Sequence, residues 1–123
     1  MLVVAATSAL AIAFFLYEDA YRPQMSAIGI ARVIDGDTLE ISRQRVRLAN
    51  FHAPERGDSA GARATEELHD LASGKVVECH GRELDFWRRL IARCSVNGAD
   101  LGDSMRQRGI VEQRRDGRPV WRW

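Results

Sequence analysis

Asp35 and Asp37 stand either side of Gly36 in the run "VIDGDTLEI", so two carboxylates leave a single turn. Further along, "RVRLANFHAPE" puts Arg45 and Arg47 on one side of an extended segment and Glu55 behind Pro54, with His52 between them. Arg88 and Arg89 stand at the entrance to a later apolar run, "LIARCSV". These residue types suit one kind of chemistry. A hard cation takes oxygen ligands, a carboxylate can draw a proton from water, and arginines neutralise charge building on phosphate oxygens. Together they describe metal-assisted phosphodiester cleavage. Taken singly, each has a plainer reading. Asp-Gly-Asp-Thr is more often a hairpin turn than a metal site, a lone Pro-Glu carries little, and arginines on a strand commonly form a solvated face. The order and spacing of the whole set raise the functional reading.

Such side chains need a frame, and the hydrophobic pattern supplies one. "IGIARVI" alternates as a strand should, "TLEIS" returns as a second, and "RVRLANF" reads as a third. The Asp-Gly turn between the first two is expected to supply the positive φ that tight hairpins use. Residues 59–73 have helical spacing, with Ala60, Ala64, Leu68 and Leu71 on one stripe, Asp58 or Ser59 as cap and Gly74 as stop. "KVVECH" and "RLIARCSV" read as two further strands around a charged loop, a hairpin that could set Cys79 opposite Cys94. A second helix, "ADLGDSMRQRG", places Leu101 and Met105 on one face and ends at Gly109. Five short strands, a helix between the third and fourth and a helix after the fifth predict a mainly β (α+β) fold, a five-stranded OB barrel with two packed helices.

Composition narrows the class. The chain has 123 residues, 46% hydrophobic and 28% charged, which suits one small globular domain and argues against disorder. Net charge is only +1, so any nucleic-acid surface must be a local patch. Arginine supplies all but one of the 18 basic residues, Lys75 being the exception. That skew suits bidentate contacts to phosphate or carboxylate, although genomic base composition produces it equally well. Leu2 to Leu16, "LVVAATSALAIAFFL", carries no charge. It is short of the about 20 residues a bilayer span needs and matches an export-signal core. The expected organisation is a signal peptide or membrane anchor over 1–17, a linker over 18–27 and the domain over 28–123. The chain would be exported (periplasmic or secreted) or tethered with its domain outside the cytoplasm, where two cysteines would pair.

"VIDGDTLEI", "RVRLANFHAPE", "DFWRRLIARCSVNGADL" and "RQRGIVE" together resemble the staphylococcal nuclease (thermonuclease) family over about residues 28–123. The resemblance implies an OB-fold barrel and a Ca²⁺-dependent phosphodiesterase acting on DNA and RNA, as a monomer. Carried over by motif, Asp37 would be a Ca²⁺ ligand with Asp35 close behind it, and the Ala53 carbonyl would be another. Arg47 and Arg89 would clamp the scissile phosphate, and Glu55 would be the general base or position the attacking water. His52 departs from the pattern, because the family has a metal-binding aspartate there. Imidazole is a poor ligand for Ca²⁺, so His52 points either to another cation beside Asp37, such as Zn²⁺, Mn²⁺ or Ni²⁺, or to lost catalysis. Trp87 replaces a tyrosine. Arg88 replaces the glycine before the arginine and could compete with Arg89 for its role. His69 and His80 lie away from the turn and read as surface residues.

Two function classes follow. One is a metal-dependent nuclease of the thermonuclease type, weakened by His52. The other is a degenerate barrel that binds nucleic acid or a protein partner without cutting. The second draws on His52 and on the tail, where Trp121 and Trp123 interleave with Arg118 and Arg122. A tethered structural domain is a third and weaker reading.

Overall fold

Strand β1 spans Met25–Asp35 in the computed structural model, which describes residues 9–14, 16 and 23–113. It begins three residues earlier than the alternation predicts, because its first half pairs with a different neighbour from its second. Residues 25–30 run antiparallel to β4 (Val76–Leu84), and residues 31–35 run antiparallel to β2 (Thr38–Ile41). One long coiled strand therefore belongs to both halves of the sheet. β3 (Gln44–Leu48) pairs with β2, and β5 (Leu90–Val96) pairs with β4. A parallel pairing of β3 with β5 closes the sheet into a five-stranded barrel, the OB arrangement. A two-residue strand, β6 (Ala99–Asp100), folds back antiparallel on the end of β5, an element beyond the pattern read from sequence.

Helix α1 (Ser59–Ala72) joins β3 to β4, and α2 (Leu101–Gln107) follows β6. Asp58 caps α1, accepting from the Gly61 amide at 2.8 Å. Gly61, Ala64, Leu68 and Ala72 form its buried face, whereas Ala60 is exposed. The predicted stripe is thus out of phase at its start. A Cβ on Gly61 would lie 1.7 Å from the Glu55 carbonyl oxygen, so glycine there lets the helix end dock against the Glu55 backbone. The third strand also stops sooner than predicted, at Leu48, leaving Ala49–Phe51 to carry the chain across the barrel end.

Leu39, Ile41, Val46, Leu48, Phe51, Leu68, Val77, Leu90, Leu101 and Met105 fill the interior. Each such side chain taken from water contributes about 1.5–3 kcal/mol before entropy is set against it. Cys79 and Cys94 are directly opposed on β4 and β5, are 0% and 1% exposed, and form a disulfide. Of the apolar N-terminal run, residues 9–14 and 16 are helical, with Leu10, Ile12, Phe14 and Leu16 exposed. Among the described residues no helix is long and apolar enough to cross a membrane. The tryptophan-arginine tail, residues 114–123, lies outside the described residues.

Candidate functional site

The site grows from the β1–β2 turn. A register shift between Val33 and Asp35 interrupts the ladder just before it, and such bulges re-aim the side chains beside them. Asp35 then pairs with Thr38 across the turn, and its Oδ1 accepts from the Asp37 amide at 3.3 Å. Gly36 does not take the positive φ expected of it. It is glycine for room: a Cβ there would lie 2.7 Å from the Cβ of Ala53 and 2.7 Å from that of Ala64. The turn is pressed against both the 49–55 segment and α1. The left-handed hairpin positions fall instead at Ser42 and Arg43, φ 48° and 69°, between β2 and β3.

Asp37 is the hub. Its Oδ1 accepts from the Thr38 hydroxyl at 3.1 Å, and its Oδ2 accepts from the Ala53 amide at 3.1 Å. The His52 Nδ1 lies 4.0 Å from Oδ2. Burial, then the neighbouring Asp35 carboxyl, push Asp37 above the ordinary carboxylate range, while the Ala53 N–H and Arg47 pull it down. A carboxylate whose ionised form is this poorly solvated gains from any cation brought beside it.

Arg47, on β3 opposite Thr38, contacts the His52 Nδ1 through Nη2. A guanidinium only donates, so a hydrogen bond between the two needs an Nδ1 that carries no proton. The His52 amide donates to Glu112 at 3.3 Å. Glu112 is a 7% exposed carboxylate that also meets Arg106 at 3.3 Å. Arg106 in turn donates to the Asn50 carbonyl at 2.6 Å. This ion pair at the end of α2 braces the 50–52 segment, and single-residue reading of "RQRGIVE" did not single it out.

On the other flank, Arg89 donates through Nε to Asp85 at 2.7 Å and lies 3.5 Å from the Thr38 hydroxyl through Nη1. Thr38 therefore stands between Arg89 and Asp37. Asp85 holds its loop tightly, its Oδ1 also accepting from the amides of Trp87 and Arg89 at 3.0 and 2.9 Å. Arg88 is exposed and takes φ 63°, the left-handed conformation that glycine adopts without cost. Arg89, by contrast, is directed to Thr38.

Asp35, Asp37, Arg47, His52, Ala53 and Arg89 thus come together. Glu55 has an exposed side chain, and its backbone is fixed by the Gln113 side-chain oxygen, which accepts its amide at 2.9 Å, and by the close approach of Gly61. His69 is exposed on α1, and His80 shares a 2.9 Å hydrogen bond with Ser26 on the far strands.

The donor set has a definite character. Among the described residues no three His, Cys, Asp or Glu side chains form a metal-holding group. Asp35 and Asp37 supply two adjacent carboxylates, and the Nδ1 of His52 is directed to Arg47. Six to eight oxygens, as Ca²⁺ takes, are not offered by these side chains. One or two carboxylates completed by water and substrate phosphate are what a smaller hydrated cation uses, and that arrangement the turn fits.

No protein-family model matches the chain. The chain is 39% identical over 66 residues to a protein of Shigella flexneri named micrococcal nuclease, covering 50% of this chain and 38% of that one. It is 35% identical over 87 residues to an uncharacterized endonuclease of Escherichia coli O157:H7, covering 67% and 57% respectively. The chain therefore spans less than two thirds of the length of either relative. The closed barrel fits a staphylococcal-nuclease-like OB fold, and the chain is similar in sequence to proteins named as nucleases.

Proposed function

We propose that this domain hydrolyses phosphodiester bonds in DNA or RNA with the help of a divalent cation. The observation that carries the reading is the convergence of Asp37, Arg47 and Arg89 around Thr38, at one end of the closed barrel. None of these three charges is needed to fill a core. Arg47 and Arg89 would grip the non-bridging oxygens of one phosphate and stabilise the charge that grows there. Glu55 serves as the base that takes a proton from the attacking water. Asp35 and Asp37 would hold the cation, which when bound supplies Lewis-acid stabilisation of the phosphate. Similarity to a protein named micrococcal nuclease supports divalent-metal dependence, and the family resemblance points to Ca²⁺. The two-carboxylate donor set favours a hydrated ion such as Mn²⁺.

The test is cleavage of single- and double-stranded DNA by the metal-depleted full chain, supplied with Ca²⁺, Mn²⁺ or Zn²⁺, beside Glu55→Gln and His52→Asp. Cleavage with at least one metal, lost in Glu55→Gln, supports the hydrolytic reading. One feature favours a second reading: His52 stands where the family has a carboxylate, and it is engaged by Arg47. If wild type is silent and His52→Asp gains Ca²⁺-dependent cleavage, the natural protein is a nucleic-acid binder on a nuclease frame.

The site of action we propose is outside the cytoplasm. The buried Cys79–Cys94 disulfide and the apolar run at residues 2–16 support export, with or without retention at a membrane. Recovery of the chain in a reduced, cytoplasmic fraction would contradict this.

A further inference from the structure

The β2–β3 hairpin carries two arginines that the site above does not use. Arg45 lies two residues before Arg47 on β3, so both side chains leave the same face, with Cα atoms about 6–7 Å apart. Arg43 precedes them in the left-handed turn, at φ 69°. Both Arg43 and Arg45 are exposed, and among the described residues neither has an ion-pair partner. Glu40, the acid directly across from Arg45, accepts from Arg32 at 3.1 Å, so the row Arg32–Glu40–Arg45 keeps one positive charge. The result is a stair of cations that climbs from the tip of the hairpin to Arg47.

The stair is held in place. Gln44 Nε2 donates to the Arg45 carbonyl at 2.8 Å and to the Arg88 carbonyl at 3.1 Å, which ties the hairpin to the loop that carries Arg89. Nothing in the fold calls for these charges. Exposed arginines fill no core, and like charges set side by side repel, so an uncovered row strains the hairpin and does not steady it. An anion laid across the row reverses that sign. Planar guanidinium forks suit phosphate oxygens. The step of about 6–7 Å between alternate residues of a strand is close to the interval between neighbouring phosphates of an extended nucleic-acid chain. A polynucleotide presents such a row of anions, and a lone phosphate does not.

We propose that Arg45 and Arg43 hold the successive phosphates on one side of the phosphate gripped by Arg47 and Arg89, so that the site takes an internal bond of a polynucleotide in preference to a dinucleotide. This rests on the reading of Arg47 and Arg89 as phosphate-binding, and not on hydrolysis itself.

The test is equilibrium binding by the metal-free full chain, which separates recognition from cleavage. The probes are a thymidylate dimer and a thymidylate octamer, each titrated across about 50–200 mM salt. Wild type should bind the octamer about tenfold or more tighter than the dimer, and with the steeper salt dependence. Arg43→Gln and Arg45→Gln should each weaken octamer binding about 3- to 10-fold and lower its log–log salt slope by about 0.7, while leaving the dimer within about twofold. Arg45→Lys keeps the charge and should keep the slope. Arg108→Gln makes the same change in net charge on the α1–α2 surface, where Glu67 and Asp70 hold Arg108, and should leave the slope unchanged. Both hairpin glutamine variants should melt at or above wild type, because each removes one of two neighbouring like charges. An octamer bound no more tightly than the dimer, or not at all, would overturn the track. So would a slope that survives both glutamine variants, or one that falls equally in Arg108→Gln, which would mean that net charge alone is felt. If no metal supports cleavage while the binding pattern holds, the hydrolytic reading fails and the track stands.

Discussion

Gly36→Ala tests whether close packing, and not backbone torsion, sets the turn that carries Asp35 and Asp37. The added Cβ would lie 2.7 Å from each of two neighbours, the Cβ atoms of Ala53 and Ala64. Non-bonded carbons settle at about 3.5–4.0 Å, so each contact is short by roughly 1 Å. Neither neighbour is the tip of a flexible side chain. Ala64 sits in α1, and Ala53 is fixed by the bond from its amide to Asp37. Overpacking of this kind costs about 1–3 kcal/mol. The stiffer unfolded chain returns about 0.4–1 kcal/mol, because Gly36 lies outside the positive-φ region and alanine can adopt its conformation. The net loss is about 1–2 kcal/mol, or a fall in Tm of roughly 4–10 °C for a domain of this size. Relief requires Ala53 and Asp37 to separate, and a displacement of about 1 Å among reacting groups costs on the order of 10²-fold in rate. Thermal denaturation and DNA cleavage on the same preparation measure both effects. A Gly36→Ala protein that melts at or above the wild-type temperature would refute the packing argument.

Three other perturbations have signs set by the structure. Arg88 holds φ 63°, which costs a side-chain-bearing residue about 1–2 kcal/mol, against about 0.5–1 kcal/mol for the freedom glycine adds to the unfolded chain. Arg88→Gly should therefore raise Tm by roughly 2–6 °C, and a lower Tm would show that the Arg88 side chain stabilises the loop. Burial pushes the Asp85 carboxyl up, but bonds from Arg89 and the Trp87 amide outweigh it and hold Asp85 below the ordinary range. Its contribution is complete above the unfolded-chain value of about 3.9 and is lost as pH falls through the lower folded value. Asp85→Asn should flatten the acid limb of the stability curve, and an unchanged limb would contradict the assignment. The Cys79–Cys94 bond links residues 15 apart, so reduction should remove about 3 kcal/mol of stability through unfolded-chain entropy. Urea denaturation with and without reductant measures it, and coincident curves would show that the crosslink adds nothing.

The barrel was legible because its strands alternate cleanly and its turns are short. Where the pattern misled, a backbone contact had overridden it. Gly61 carries no apolar side chain to mark it as inward-facing, yet the docking of α1 on the Glu55 carbonyl puts it there. Met25–Ala27 read as linker because "QMSA" lacks periodicity, and only the pairing with β4 makes it strand. Asp-Gly was right as a turn and wrong as to why glycine is used. For the site, the order of acids and arginines along the chain pointed to one cluster. The His52–Arg47 contact and the Arg106–Glu112 brace join residues from separate elements, and no local spacing announces them.

Barrel closure has a consequence for when the site exists. Arg47 lies on β3 and Arg89 just before β5, the strands whose parallel pairing seals the sheet. The Gln44–Arg88 contact beside that seam spans 44 residues. Bringing such distant segments together is slow and is rewarded only after the local hairpins have formed. A half-folded chain can thus possess every hairpin and still lack the paired arginines. On the proposed reading, a nucleotide ligand that both arginines hold would act as a latch on the closed barrel.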